Sequence, residues 1–182
     1  MFCIEKLDRA RHDRNSFIST NPSFDDYLKK FANQDIKRNK TIVYVAVKPE
    51  DYVPKRIYGF YSINSFSLTD SDYSETTNLS FEPYGYISAI LIGRLAIAKY
   101  QAQLRGFELL YQALRKCKIL AQELGVSIIL VEPIDERAIQ FYKRQGFVNL
   151  GISSNFMYIP IEFVKEQYPA VSKMEITEEV LI

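Results

Sequence analysis

Apolar residues run almost without interruption from Ile87 to Ala98. That pattern predicts a strand buried on both faces. A short polar loop, Lys99 to Arg105, follows. Gly106 then opens a segment with apolar residues at Phe107, Leu110, Ala113, Leu114, Cys117, Leu120, Ala121 and Leu124. The spacing predicts a helix with one core-facing stripe, and Gly125 is placed to end it at C′. Val126–Val131 reads as a second buried strand. Joined through a helix, it should lie parallel to the first, with a right-handed crossover. A bland connection would give the same pattern, but the first turn of such a helix has unsatisfied N–H groups suited to a phosphate. No Gly-Lys-Ser/Thr and no Rossmann glycine pattern accompanies it, which argues against a nucleoside triphosphate or dinucleotide.

The flanking pattern is simpler. Residues 2–7 suit a first strand, and 8–20 are polar and irregular. His12, the lone histidine, is expected there as a solvated side chain, with no cluster to hold a metal. Asn21-Pro22 starts a helix, with Asn as N-cap and Pro at the first position. Its apolar stripe is Phe24, Tyr27, Leu28, Phe31 and Ala32, and its far end is crowded by Lys37, Arg38 and Lys40. That end is either a dipole-compatible terminus or a local patch for phosphates. Thr41–Val47 and Ile57–Phe66 predict paired strands around a proline turn. Residues 67–84 form the longest irregular segment, with a short helix around Tyr73–Leu79. Pro133 ends the strand at Val131, and Asp135 caps a short helix carrying Ala138, Phe141 and Tyr142, closed by Gln145-Gly146. Phe147-Val148 and Asn155–Ile161 suit a last antiparallel pair. The acidic stretch Glu175–Glu179 is expected to be loose. The fold class is therefore α/β (α+β): antiparallel N-terminal strands, then a βαβ unit, in one mixed sheet.

Composition narrows the class. With 182 residues, 47% of them hydrophobic, one domain spanning 1–182 with a full core is expected. The net charge of +1 gives no global drive toward nucleic acid or an acidic membrane. Cys3 and Cys117 are far apart and suit reduced thiols. No signal peptide is read at the start and no apolar stretch reaches the roughly 20 residues of a membrane span. The expectation is a cytoplasmic protein.

Two motifs carry a family resemblance. Gly93-Arg94-Leu95-Ala96-Ile97, followed by Tyr100-Gln101-Ala102-Gln103-Leu104-Arg105-Gly106, resembles motif A of the GCN5-related N-acetyltransferases, whose loop reads Gln/Arg-x-x-Gly-x-Gly/Ala. Gln101 and Gly106 match; Leu104 stands where the family has its central glycine. Ala138-Ile139-Gln140-Phe141-Tyr142-Lys143-Arg144-Gln145-Gly146-Phe147 resembles the family's Ala-x-x-Phe-Tyr-x-x-x-Gly-Phe more closely, with Asp135 where many members carry Asn. The N-terminal run from His12-Asp13 through Phe17-Ile18-Ser19-Thr20-Asn21 to Leu28 is similar to the entry segment of toxin-type acetyltransferases. Ser19-Thr20 replace the usual Cys-Gly there, and Gly93–Ile97 also matches that branch.

The resemblance implies an acetyl-CoA-dependent N-acetyltransferase. Its site would lie where the two parallel strands splay. Backbone groups of Leu95, Ala96 and Ile97 would meet pantetheine. Gln101, Ala102, Gln103, Leu104, Arg105, Gly106 and Phe107 would hold the pyrophosphate, with Asp135 nearby. Tyr142 would protonate the leaving thiolate; its plainer role is a core aromatic. Arg94 would meet acceptor phosphate, or merely a salt bridge. Glu132 would take a proton through water, or merely sit at the surface. No metal is implied. The toxin branch implies the α-amine of aminoacyl-tRNA as acceptor, a ribbon-helix-helix antitoxin as partner, and frequent homodimers. The weak net charge weighs against tRNA. Two other readings stand beside it: acetylation of a small-molecule or protein amine, and a binding or regulatory module in which the Leu104 side chain obstructs the phosphate loop.

Overall fold

The computed structural model describes residues 1–69, 85–101, 103–151 and 154–168. The expected helix around Tyr73–Leu79, Ala102 and the stretch Glu175–Glu179 lie outside them. Nine strands are described: β1 (Cys3–Lys6), β2 (His12–Asp13), β3 (Ile42–Val47), β4 (Lys55–Arg56), β5 (Gly59–Thr69), β6 (Tyr86–Ile97), β7 (Ile128–Val131), β8 (Val148–Asn149) and β9 (Met157–Pro160). The helices are α1 (Pro22–Asp26), a π-turn (Tyr27–Phe31), α2 (Ala32–Lys37), α3 (Gly106–Leu124), α4 (Glu136–Arg144) and α5 (Ile161–Gln167).

Seven strands form one sheet in the order β1-β3-β5-β6-β7-β9-β8, and β2 and β4 pair apart from it. Only β6 and β7 run parallel in the large sheet. This is the expected mixed sheet, antiparallel first and then βαβ. The last pair differs from a simple terminal hairpin, because β9 inserts between β7 and β8. β5 also runs three residues past the expected strand end, as far as Thr69 opposite Tyr86.

α3 covers one face through Leu110, Ala113, Leu114 and Cys117, packed on Tyr44, Tyr61, Ile90, Ile92 and Ile129. The segment α1–π-turn–α2 covers the other, where Tyr27, Leu28 and Ala32 meet Val43, Val45 and Phe60. Asn21 caps α1 as expected, its side-chain oxygen accepting from Ser23 N–H at 3.0 Å. The predicted single stripe is broken, however: Phe31 is 51% exposed. A π-turn advances the register by one residue, which rotates Phe31 off the buried face. Phe107 and Leu124 likewise leave the expected α3 stripe for solvent.

His12 is not solvated. It is buried, its Nδ1 accepts from Asp8 N–H at 2.9 Å and its Nε2 donates to Glu5 at 3.1 Å. Lys55 reaches the same Glu5 carboxylate at 2.6 Å. The polar entry loop is thus tied to β1 by a small ionic network.

Candidate active site

The site grows from one irregularity in β6. Ile63 of β5 lies opposite Ile92, but the neighbouring Ser62 lies opposite Arg94. Gly93 is therefore the extra residue of a β-bulge. A side chain at Gly93 would start 3.2 Å from Ser62 Oγ and 3.4 Å from Asn64 Oδ1, so glycine fits the crowded bend. The bulge switches the parity of the strand. Before it, Ile90 and Ile92 face α3; after it, Leu95 and Ile97 do, while Ala96 joins the opposite cluster.

Pairing changes at the same place. β7 accompanies β6 only from Ala89 to Ile92 and ends at Val131. Beyond the bulge β6 has β5 on one side and an open edge on the other. Ala98 N–H donates to Tyr58 O at 2.8 Å, so by the two-residue repeat of a strand Ala96 also turns its backbone to β5. The backbone groups of Leu95 and Ile97 face the open edge. Two of the three expected backbone positions are thus available to a ligand, and Ala96 is committed to the sheet.

Gln101 shapes the loop that follows. Its side-chain oxygen accepts from Gln103 N–H at 2.9 Å and Leu104 N–H at 2.7 Å, and its amide donates to Leu104 O at 2.9 Å. The loop is clasped by a side chain instead of being bent by a glycine. Leu104 turns inward, buried with Leu109 and Leu110. A Cβ built on Gly59 would sit 2.9 Å from Leu104 Cδ2 and 3.0 Å from Leu109 Cδ2. The missing side chain at Gly59 is the space that Leu104 fills, so the Leu104 side chain lies in the core and not over the loop. Arg105 is the N-cap of α3, and its N–H donates to Glu108 at 2.7 Å. Among the described residues, the N–H groups of Gly106 and Phe107 have no acceptor. They form the positive end of a 19-residue helix.

Tyr142 comes to the same place from α4. Its ring packs between Phe141 and Phe147, with centroids at 5.1 and 5.3 Å. It shares one cluster with Leu104, Leu95 and Ile97. The Phe141 ring lies 3.6 Å from the Cβ position of Gly106, a close approach that brings α4 against the start of α3. Burial pushes the Tyr142 phenol up, far above its ordinary range, and among the described residues the hydroxyl has no hydrogen-bond partner. Asp135 is spent locally: its carboxylate accepts from Ala138 N–H at 2.7 Å and caps α4.

On the far side of the bulge a cleft of about 400 Å³ is lined by Phe24, Asn64, Gly93, Arg94, Glu132 and Ile134, among others. It unites the two expected acceptor residues. Arg94 is in no salt bridge among the described residues; its guanidinium lies 3.7 Å from the Tyr27 ring centroid, a cation–π contact. Glu132 is exposed at the end of β7. Sequence reasoning missed Gly59, Phe24 and Tyr27. A glycine inside an aromatic strand was a signal for Gly59, since such a residue marks close approach.

No protein-family model matches the chain. Among curated proteins it is 29% identical over 170 residues to a probable toxin TacT of Sinorhizobium fredii, covering 89% of this chain and 92% of that one. It is 31% identical over 137 residues to a tRNA-acetylating toxin of Mycobacterium tuberculosis, covering 74% and 78%. The chain belongs to the toxin branch of the GCN5-related N-acetyltransferases. Three solved structures share the fold of this toxin-type acetyltransferase. A tyrosine-to-phenylalanine mutant of KacT superposes with TM-score 0.80 at 24% identity, over 91% of this chain and 98% of that one. AtaT complexed with acetyl-methionyl-tRNAfMet gives 0.79 at 21%, over 91% and 98%. An AtaT mutant bound to acetyl-CoA and the C-terminus of the antitoxin AtaR gives 0.76 at 19%, over 92% and 98%.

Among the described residues no group of histidine, cysteine or carboxylate side chains could hold a metal ion, and no helix is long and apolar enough to cross a membrane.

Proposed function

We propose that this toxin-type acetyltransferase transfers the acetyl group of acetyl-CoA to the α-amine of aminoacyl-tRNA, and that residues 1–182 act as one catalytic domain. The observation that carries the reading is the splay of β6 from β7 at the Gly93 bulge, opposite the start of α3 and beside Tyr142. The M. tuberculosis relative is a tRNA-acetylating toxin, and AtaT has been seen with acetyl-methionyl-tRNAfMet and with acetyl-CoA.

Acetyl-CoA supplies the acetyl thioester. The chain must hold it, position a neutral amine, offer a donor to the carbonyl oxygen and return a proton to the thiolate. Leu95 and Ile97 present backbone groups along the open edge for the pantetheine arm. Gly106 and Phe107 N–H groups face the pyrophosphate, in a loop whose shape Gln101 fixes and to which Gln103, Leu104 and Arg105 contribute backbone. The Tyr142 phenol holds its proton at every working pH and is the donor to the leaving sulfur. The cleft at Arg94 and Glu132 receives the acceptor amine. The inward Leu104 supports catalysis over a binding-only module.

The proposed partner is an antitoxin of the ribbon-helix-helix type, the proposed assembly a homodimer and the proposed location the cytoplasm. The test is transfer of labelled acetyl from acetyl-CoA to charged tRNA. Acid-stable label on the aminoacyl group, with growth arrest on expression, is the expected result. Label on free amines or proteins, with charged tRNA untouched, would replace this reading with acetylation of a small-molecule or protein amine.

A further inference from the structure

The net charge of +1 conceals a strong segregation. A groove of about 1560 Å³ runs beside the edge strand β1, between the 7–14 loop and the last turns of α1–π-turn–α2. Nine lysines and arginines line it, against Glu5 and Asp8 alone. Glu5 is already paired with Lys55 and Arg11 and accepts a hydrogen bond from His12. Lys6, Arg9, Lys29 and Lys37 have no acidic partner among the described residues, and Lys6, Arg9 and Lys37 are exposed. The Arg14 guanidinium donates to Leu28 O at 3.3 Å and Lys29 O at 3.0 Å, which fixes the arginine-bearing loop against the helix. Lys6, Arg9 and Lys37 are thus held near one another with no acidic partner among the described residues.

The helical segment also connects this groove to the chemistry. Phe24, in its first turn, lines the acceptor cleft, while Lys29, Lys30 and Lys37 line the groove. Thirteen residues of helix between Phe24 and Lys37 span about 20 Å. A ligand filling both places carries an amine at one end and a run of negative charge a few nucleotide lengths away.

We infer that the groove along β1 holds the phosphodiester backbone of the RNA whose aminoacyl end enters the cleft at Gly93. The inference rests on the proposed acceptor and adds where the rest of that acceptor lies. Backbone contacts of this kind position a nucleic acid without reading its sequence. They are made by lysine and arginine, and they release counterions, so affinity falls steeply with salt.

The test compares two acceptors, charged tRNA and an aminoacyl-nucleoside without phosphodiesters, in the natural protein and in K6E/R9E/K37E. The reversal should raise KM for charged tRNA at least about tenfold and leave kcat nearly unchanged. Three lost contacts should lower the slope of log affinity for uncharged tRNA against log salt by about two to three. Transfer to the aminoacyl-nucleoside should not change. K6Q/R9Q/K37Q should show the same split with a smaller effect. An unchanged KM for charged tRNA, a salt-independent KM of the natural protein, or equal loss on both acceptors in both variants overturns the inference. So does binding of an acidic protein segment that the reversal abolishes while RNA binding survives. If the natural protein acetylates neither acceptor but still binds tRNA in a salt-dependent way that the reversal removes, the groove stands and the proposed reaction falls.

Discussion

The two halves of β6 are built from the same kinds of residue and do opposite work. From Tyr86 to Ile92 the strand is flanked by β5 throughout and by β7 from Ala89, and Ile87, Ala89, Ile90 and Ile92 are buried. From Gly93 to Ile97 it keeps β5 and loses β7, and only Ala96 is buried. Burial and full pairing stabilise the first half; the second leaves backbone donors and acceptors for a ligand to satisfy. One extra glycine separates them. The difference teaches that the candidate site is an interrupted sheet, with an open backbone edge where a strand is missing.

The sharpest test of the open half is Tyr142→Phe. Losing a general acid should lower the transfer rate by about 10²–10⁴-fold, with acetyl-CoA affinity nearly unchanged. Because burial keeps the phenol protonated, the rate of the natural protein should rise with pH as the amine is neutralised and show no decline from Tyr142 up to pH 10. Steady-state kinetics across pH check both.

Stability should divide along the same line. Ile90→Ala, in the closed half, should cost about 2–5 kcal/mol by denaturant unfolding. Ile97→Ala, half-buried at the open edge, should cost clearly less while weakening acetyl-CoA binding. Equal losses at both positions would break the distinction.

The clasped loop gives a smaller and more specific effect. Gly59→Ala should cost about 1–3 kcal/mol by overpacking against Leu104, Leu109 and the Ala96 carbonyl. Combined with Leu104→Ala it should cost less than the sum of the single changes by at least about 0.5 kcal/mol, because the two share one space. Unfolding of the four proteins in a double-mutant cycle measures this.

The smallest effect lies away from both halves. Burial raises the Glu5 carboxyl, but hydrogen bonds from Lys55 and His12 outweigh it and hold the group below its ordinary value of 4.5. A depressed carboxylate contributes stability that is present above that value and lost as pH falls through the folded one. Thermal unfolding below pH 4.5 should therefore steepen in the natural protein, and Glu5→Gln should flatten that limb.

Much of this architecture was legible in the chain. The strand over the apolar run from Ile87, the stripe of α3 apart from Phe107 and Leu124, and the cap at Asn21 each follow from periodicity or turn chemistry, and each is present. The acetyltransferase motifs pointed to a strand, loop and helix that the fold brings together. What periodicity could not reveal was non-local. The Gly93 bulge changes which residues face α3, and only cross-strand register shows it. The π-turn that exposes Phe31 leaves no mark on a helical stripe. His12 is buried because Glu5 and Asp8 surround it, and those partners come together only when the loop closes on β1. The basic groove gathers residues from the entry loop, the first helical segment, β4 and α3 in a chain whose total charge is close to zero.

The pairing of Gly59 with Leu104 bears on ancestry and on engineering. A glycine in the strand and a bulky residue in the loop, forty-five positions apart, share one volume. Substitutions at the two positions should therefore drift together through descent, and a designer who restores glycine at 104 would leave a void unless 59 grows in compensation.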